Sequence, residues 1–354
     1  MIREAIKKLI SGQDLTQDEA YASMREVMSG EATSAQIAAF LTALRIKGET
    51  VDEIVSFATV MREFCLKITP KVRGRLIDTC GTGGDKVKTF NVSTAAAFIV
   101  AGVGIPVAKH CNRSVTSKSG SADVLEYLGL NLEAPQDVVQ RAIERTGIGF
   151  LFAPSFHPAM RNASGPRREI GIRTVFNILG PLTNPAPLDA QVVGVCDAGL
   201  IEKVASALKR LGIREAMVVH GLDGLDEISN IGKTSISWLK GGEIRTFEVS
   251  PEDLGVKRCP PERLVCSNIQ ESAEVIFKIL YGCLRAGDPR RDLVVINAAA
   301  GIIVGGESDE FTHGIELAQE SIESGRAYEK LKEVLRTYEG SDVGRLEELE
   351  EKYR

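Results

Sequence analysis

The stretch Leu76-Ile77-Asp78-Thr79-Cys80-Gly81-Thr82-Gly83-Gly84-Asp85 decides how this chain is read. A short apolar run breaks into three glycines within four positions. Glycine loses more backbone freedom on folding than any other residue, with no side chain to pack in return. Such a cluster is either a turn where something approaches the main chain closely or a purely structural turn. Just downstream, Asn91-Val92-Ser93-Thr94 precedes an alanine-rich run over 95–101. Ser93-Thr94 ahead of a helix-forming run reads as an N-cap. Strand, glycine turn and helix start, in that order, present unpaired amide N–H groups and the positive end of a helix dipole, which is a seat for phosphate. The loop is not a Walker A loop, which ends Gly-Lys-Ser/Thr, nor a dinucleotide fingerprint, which wants glycine where Lys86 stands.

A second cluster lies within one helix and one strand of the first. Residues 104–108 read as a buried parallel strand, and the polar run from Lys109, His110, Cys111, Asn112 and Arg113 through Ser117 and Lys118 to Ser121 follows it. In open α/β sheets ligands gather beyond the carboxyl ends of the strands, so the two loops are expected to face one crevice. Lys109, Arg113 and Lys118, with hydroxyls between them, suit a diphosphate; a solvated basic loop is the alternative.

Outward from this centre, residues 191–196, 216–220, 235–239 and 293–296 read as strands joined by segments of helical periodicity. The proline-bearing run 176–187 reads as an ordered connection between lobes, and the charged run 329–354 as a solvated terminal helix. Residues 1–70 are different. Thr16 with Glu19, Thr33 with Gln36, and Thr50 with Glu53 are three capping boxes, and Gly30 and Gly48 stand where helices stop. Ile37, Phe40, Leu41 and Leu44, then Ile54, Phe57, Ala58 and Met61, recur at helical spacing. The expected fold is α/β, with a small all-helical N-terminal domain and a larger domain built on a central, mostly parallel sheet flanked by helices.

At 354 residues the chain can bury a large core and is expected to make two domains. Its net charge of -5 and acidic pI near 5.6 argue against a general nucleic-acid binder. Seven cysteines without C-x-x-C spacing point to reduced thiols and a cytoplasmic enzyme rather than a disulfide framework or zinc site. Residues 1–10 mix charges with apolar positions, unlike a signal peptide, and no apolar run is long enough to cross a membrane.

These motifs, taken together, resemble the anthranilate phosphoribosyltransferase family. The resemblance rests on Gly81-Thr82-Gly83-Gly84-Asp85, Asn91-Val92-Ser93-Thr94, Lys109-His110-Cys111-Asn112-Arg113, and Ser119-Gly120-Ser121-Ala122-Asp123. It continues through Arg167-Arg168-Glu169-Ile170-Gly171-Ile172-Arg173-Thr174, the run 176–185, and Gly224-Leu225-Asp226-Glu227. It implies transfer of a phosphoribosyl group from phosphoribosyl diphosphate (PRPP) to the amine of anthranilate, a step of tryptophan biosynthesis. By the same resemblance, PRPP contacts fall on Gly81, Gly84, Asp85, Thr89, Asn91, Val92, Ser93, Thr94, Lys109, His110, Asn112, Arg113, Ser117 and Ser121. Anthranilate contacts fall on Gly81, Asn112 and Arg167, and magnesium ligands on Ser93, Asp226 and Glu227. Lys109, His110 and Arg167 are the expected catalytic residues, with His110 positioning first and accepting a proton second. The resemblance further implies a homodimer through the helical domain, to which a segment near 162–182 returns, leaving 71–354 as the PRPP-binding domain.

Read without the resemblance, Asp226-Glu227 is a solvated turn as readily as a cation site, and His157 beside Pro158 is a cap or core residue. This chain has Lys86 and Cys111 where the family usually has glycine; Lys86 is expected to add charge near the diphosphate. Two other classes remain to be weighed: a pyrimidine-nucleoside phosphorylase, which shares the architecture, and a non-catalytic, transferase-like nucleic-acid binder.

Overall fold

The computed structural model describes residues 1–114 and 119–354. Four helices open the chain: α1 (Ile2–Ile10), α2 (Gln17–Ser29), α3 (Ser34–Lys47) and α4 (Val51–Glu63). All three capping boxes form, with the hydroxyls of Thr16, Thr33 and Thr50 accepting from the amides of Glu19, Gln36 and Glu53. Each such cap contributes about 1 kcal/mol. The apolar stripes meet in one core, where Phe40 and Phe57 pack edge to face at 5.8 Å.

The chain then alternates: β1 (Ile77–Gly81), α5 (Val92–Val103), β2 (Val107–Cys111), α6 (Ser121–Tyr127), α7 (Gln136–Thr146) and β3 (Ile148–Phe152). The short α8 (Ala153–Phe156) leads to α9 (Arg161–Ile170) and α10 (Val175–Leu182), which pack against α2, α3 and α4. Ala163, Val175 and Leu179 enter the core of the N-terminal helices, and Asn162 donates to the Met28 carbonyl at 2.9 Å. Next come β4 (Ala190–Gly194), α11 (Ile201–Arg210), β5 (Glu215–Gly221), β6 (Thr234–Lys240) and β7 (Glu243–Val249). Five helices finish the chain: α12 (Ile269–Leu280), α13 (Pro289–Gly305), α14 (Phe311–Glu323), α15 (Arg326–Thr337) and α16 (Gly344–Tyr353).

The seven strands form one sheet in the order β3-β2-β1-β4-β5-β6-β7. The first five run parallel, and β6 and β7 continue antiparallel. Parallel strands buried on both faces need helices on each side. One face packs on α5 and α13, the other on α11 and the N-terminal helical core. β3 is an edge strand with every residue buried, because α7 and α15 cover it; β7, the open edge, alternates and carries Glu243, Arg245 and Glu248.

Several expectations need correction. Residues 293–296 are not a strand but the middle of α13, which starts at Asp288, whose side chain accepts from the Arg290 amide, with Pro289 at the first turn. Residues 293–305 are buried on every side, so the run shows no helical period, and a short apolar β-branched stretch looks the same in either state. The strand read at 104–108 lies later, at Val107–Cys111, because Gly104 ends α5 at φ 111°. Asn91, not Ser93 or Thr94, caps α5. Within the run 176–187, the first half is the helix α10 despite Pro181. The terminal helix α16 is anchored rather than merely solvated, since Leu346 and Leu349 are buried and Tyr353 packs on Phe277. Edge strands β3 and β7 went unread.

Candidate active site

The first wall of the site is built on paired glycines. Gly81 on β1 and Gly194 on β4 are register partners, and the loop after β5 lies directly across them. A Cβ at Gly81 would stand 2.6 Å from Asp226 Oδ2, and one at Gly194 1.6 Å from the Asp226 carbonyl oxygen. Only glycine admits the acidic loop at these two positions. The Gly83 amide then donates to Asp226 Oδ2 at 2.9 Å, holding the carboxylate against the turn. Gly84, at φ 89°, lies under the Arg173 guanidinium, so position 84 is closed to any side chain.

Three carboxylates crowd here. Burial and the neighbouring Asp85 push Asp226 up to about 6, and burial with Asp226 drives Glu227 far above its ordinary range. Asp85 is raised by burial too, although Lys88 at 3.6 Å and the Thr89 amide oppose that. Glu227 also accepts from the Ser93 amide, so it sits at the positive N-terminus of α5. Lys109 is the balancing charge. It is 1 % exposed, and its Nζ donates to Ser93 Oγ at 3.2 Å and to the Thr79 carbonyl. As a strand residue of β2, Lys109 reaches across under α5.

Asn91 ties this wall together: its Oδ1 accepts from Ser119 Oγ and Ser272 Oγ, both at 2.9 Å, and its Nδ2 donates to the Ser119 carbonyl. Ser121 opens α6, with its hydroxyl on the Asn112 main chain. Asn112 Oδ1 accepts from the Arg113 amide.

The opposite wall comes from α9, α10 and the next residue of β2. His110 Nδ1 lies 3.1 Å from the Gly180 carbonyl, which can only accept, so Nδ1 carries the proton. Its Nε2 is buried with no partner among the described residues, and burial lowers its basicity. The ring packs 5.1 Å from that of His157, which burial and His110 together push down to about 3. Both imidazoles are neutral at pH 7. Arg167 lies over the Phe176 ring at 5.0 Å and forms no ion pair among the described residues; burial alone lowers its affinity for a proton. A planar guanidinium held there, without a carboxylate of its own, is a receptor for one.

Between the walls is a cavity of about 310 Å³. Gly81, Asp85, Thr89, Asn91, Val92, Ser93, Lys109, His110, Asn112, Arg113, Ser121, Arg167, Asp226 and Glu227 all line it. Gly84 is not on the lining, being covered by Arg173, and Thr94 is wholly buried, its Oγ1 without a partner among the described residues. Ser117 and Lys118 lie outside the described residues. Arg113 reaches the rim, but its guanidinium is engaged by Glu126 at 2.6 and 2.9 Å and by Asp123 at 3.3 Å. Lys86 departs from expectation: its amide donates to the Gly224 carbonyl, its side chain lies over Gly224, and it faces a neighbouring cavity instead. Neither Lys86 nor Cys111 has positive φ, so neither needs glycine's freedom, and Cys111 is buried in β2. Phe176, Asn177, Gly180 and Arg173 were not assigned from sequence. A charged residue two places past the helix-ending Gly171 was the available signal for Arg173.

No helix is long and apolar enough to cross a membrane among the described residues. Family comparison matches residues 73–328 to the glycosyl transferase family a/b domain and residues 3–65 to its helical bundle domain. The anthranilate phosphoribosyltransferase of Syntrophobacter fumaroxidans is 51% identical over 338 residues, 95% of this chain and 98% of that protein. The crystal structure of the Thermus thermophilus enzyme of that name superposes with a TM-score of 0.88 at 42% identity, covering 94% of this chain and 98% of the other. The Saccharomyces cerevisiae enzyme, in complex with PRPP and magnesium, gives 0.87 at 28% identity over 95% and 97%. With a fold, a cavity and relatives in agreement over almost its whole length, the chain belongs to the anthranilate phosphoribosyltransferase family.

Proposed function

We propose that this protein transfers the phosphoribosyl group of PRPP to the amino nitrogen of anthranilate, releasing diphosphate, as a step of tryptophan biosynthesis. The observation that carries the reading is the polarity of one cavity. A glycine turn, a helix N-terminus and Lys109 stand at one end, and the unpaired Arg167 over Phe176 stands at the other. The first end suits a diphosphate and the second the carboxylate of a flat aromatic acid.

The sugar–diphosphate bond breaks with negative charge gathering on the leaving oxygens, which preorganised donors stabilise. Lys109, Ser93 and the helix amides are placed for that role, with Gly81, Asp85, Thr89, Asn91, Val92, Asn112, Arg113 and Ser121 as further PRPP contacts. Arg167, with Asn112 and Gly81, orients anthranilate so that its amine meets the anomeric carbon. Holding two substrates in line supplies much of the rate. The neutral His110, with Nε2 bare, accepts a hydrogen bond from the amine and then its proton.

Among the described residues no three His, Cys, Asp or Glu side chains gather closely enough to hold a metal alone. Magnesium does not need that: it takes one or two carboxylates and fills the rest of its shell with water and substrate phosphate. Asp226, raised by burial and Asp85, and Glu227, raised by burial and Asp226, fit such a cation with Ser93 beside them. When bound, the ion neutralises charge on the departing diphosphate. We infer that residues 1–70 with the returning 162–182 segment form one domain, and that a homodimer forms through it.

Loss of anthranilate fluorescence on mixing the protein with PRPP and magnesium tests the proposal. A decay that EDTA and an Asp226→Ala/Glu227→Ala variant both abolish is expected. Absence of decay in folded protein that still binds both substrates would refute the acceptor assignment.

A further inference from the structure

A second cavity, of about 350 Å³, adjoins the first and shares Asn177 with it. Its charged lining comes from three separate segments: Arg45 near the end of α3, Lys86 beyond the glycine turn, and Arg173 between α9 and α10. Arg45 and Lys86 form no salt bridge among the described residues, and Arg173 spends one N–H on the Thr82 carbonyl at 3.4 Å. Asp197 is the one acid on this lining, and its Oδ1 already accepts from the Gly199 amide; beyond the lining, Asp226 feels the charge of Arg173 and Glu49 that of Arg45. Thr174 Oγ1 is buried on the same lining with no hydrogen-bond partner among the described residues. Asn177 Oδ1 accepts from the Thr174 amide, which leaves the Asn177 amino group as a donor.

Three cations from separate segments line one void that carries a single carboxylate, so an anion entering between them gains from all three. Guanidinium forks and an ammonium match phosphate oxygens in geometry as well as charge, and the unused Thr174 hydroxyl adds a further donor. We propose that this cavity is a second anion site, distinct from the catalytic cavity, and that it takes a phosphate-class dianion. Inorganic phosphate and free diphosphate share the required chemistry. The surplus of cations over acids on the lining favours a dianion over a single carboxylate.

Calorimetric titration of the full chain with inorganic phosphate, and separately with diphosphate, tests the site in the presence of EDTA. Wild type is compared with Arg45→Ala/Lys86→Ala and with the exposed control pair Arg245→Ala/Lys257→Ala. Arg45 and Lys86 are exposed, so the variant is expected to fold, and its circular dichroism serves as the check. The expected result is a site that the first pair weakens at least about tenfold and the control pair leaves intact. Tighter binding of diphosphate than of phosphate identifies the occupant as diphosphate; the reverse order identifies it as free phosphate. Equal binding in all three proteins, equal weakening by both pairs, or no binding beyond one site that survives in Arg45→Ala/Lys86→Ala overturns the proposal.

Discussion

His157 should make this protein acid-sensitive, and replacing it with glutamine should relieve part of that sensitivity. The side chain is 5 % exposed, packs on the His110 ring, and has its basicity pushed from the ordinary 6.5 to about 3. An imidazole whose folded pKa is depressed binds fewer protons folded than unfolded between those two values. Stability is therefore intact above 6.5, falls as pH drops below it, and reaches its full loss near 3. At pH 5 the unfolded imidazole is almost fully charged and the folded one neutral, a difference of about 1.5 pH units, or about 2 kcal/mol. For a chain of this length, about 2 kcal/mol corresponds to a Tm change of about 3 °C. Scanning calorimetry of wild type and His157→Gln at pH 7.5 and pH 5 measures it. Wild type should lose about 3 °C more than the variant over that interval. If both proteins lose the same amount, the neutral, buried state assigned to His157 is wrong.

Gly194→Ala places a Cβ 1.6 Å from the Asp226 carbonyl, so the acidic loop must move; turnover should fall about a hundredfold with the circular dichroism spectrum retained. Arg167→Ala should raise KM for anthranilate by one to two orders of magnitude, about 2 kcal/mol for a charged hydrogen bond, with KM for PRPP little changed in steady-state kinetics. Tyr338→Phe removes the hydroxyl that accepts from the Phe150 amide at 2.7 Å in a buried setting, and chemical denaturation should show a loss of about 1–3 kcal/mol without loss of activity.

How much of this was legible in the sequence depended on how local the signal is. The capping boxes of Thr16, Thr33 and Thr50 sit within three residues of their partners, and all three formed. The glycine turn likewise announced a close approach, though not that the approaching group would be Asp226, more than a hundred residues away. Strand 293–296 failed because a helix buried on all sides has no polar face to reveal its period. β3 was hidden for a related reason, since a strand buried on both faces does not alternate. Arg113 was read by charge alone, and its engagement by Glu126 and Asp123 depends on where α6 lies. The direction of Lys86 was set by Gly224, which offers no side chain to resist it.

The pairing of Gly81 with Gly194 across adjacent strands has a consequence for folding as well as for chemistry. Slipping β1 by one residue against β4 would bring Cys80 or Thr82 opposite Gly194, and a side chain would then occupy the berth of Asp226. A misregistered sheet could be compact and helical yet unable to seat its acidic loop. Under the proposed metal assignment, cation affinity doubles as a proofreading signal: titrating a refolding sample with magnesium would then count only those molecules whose central strands have found their proper alignment.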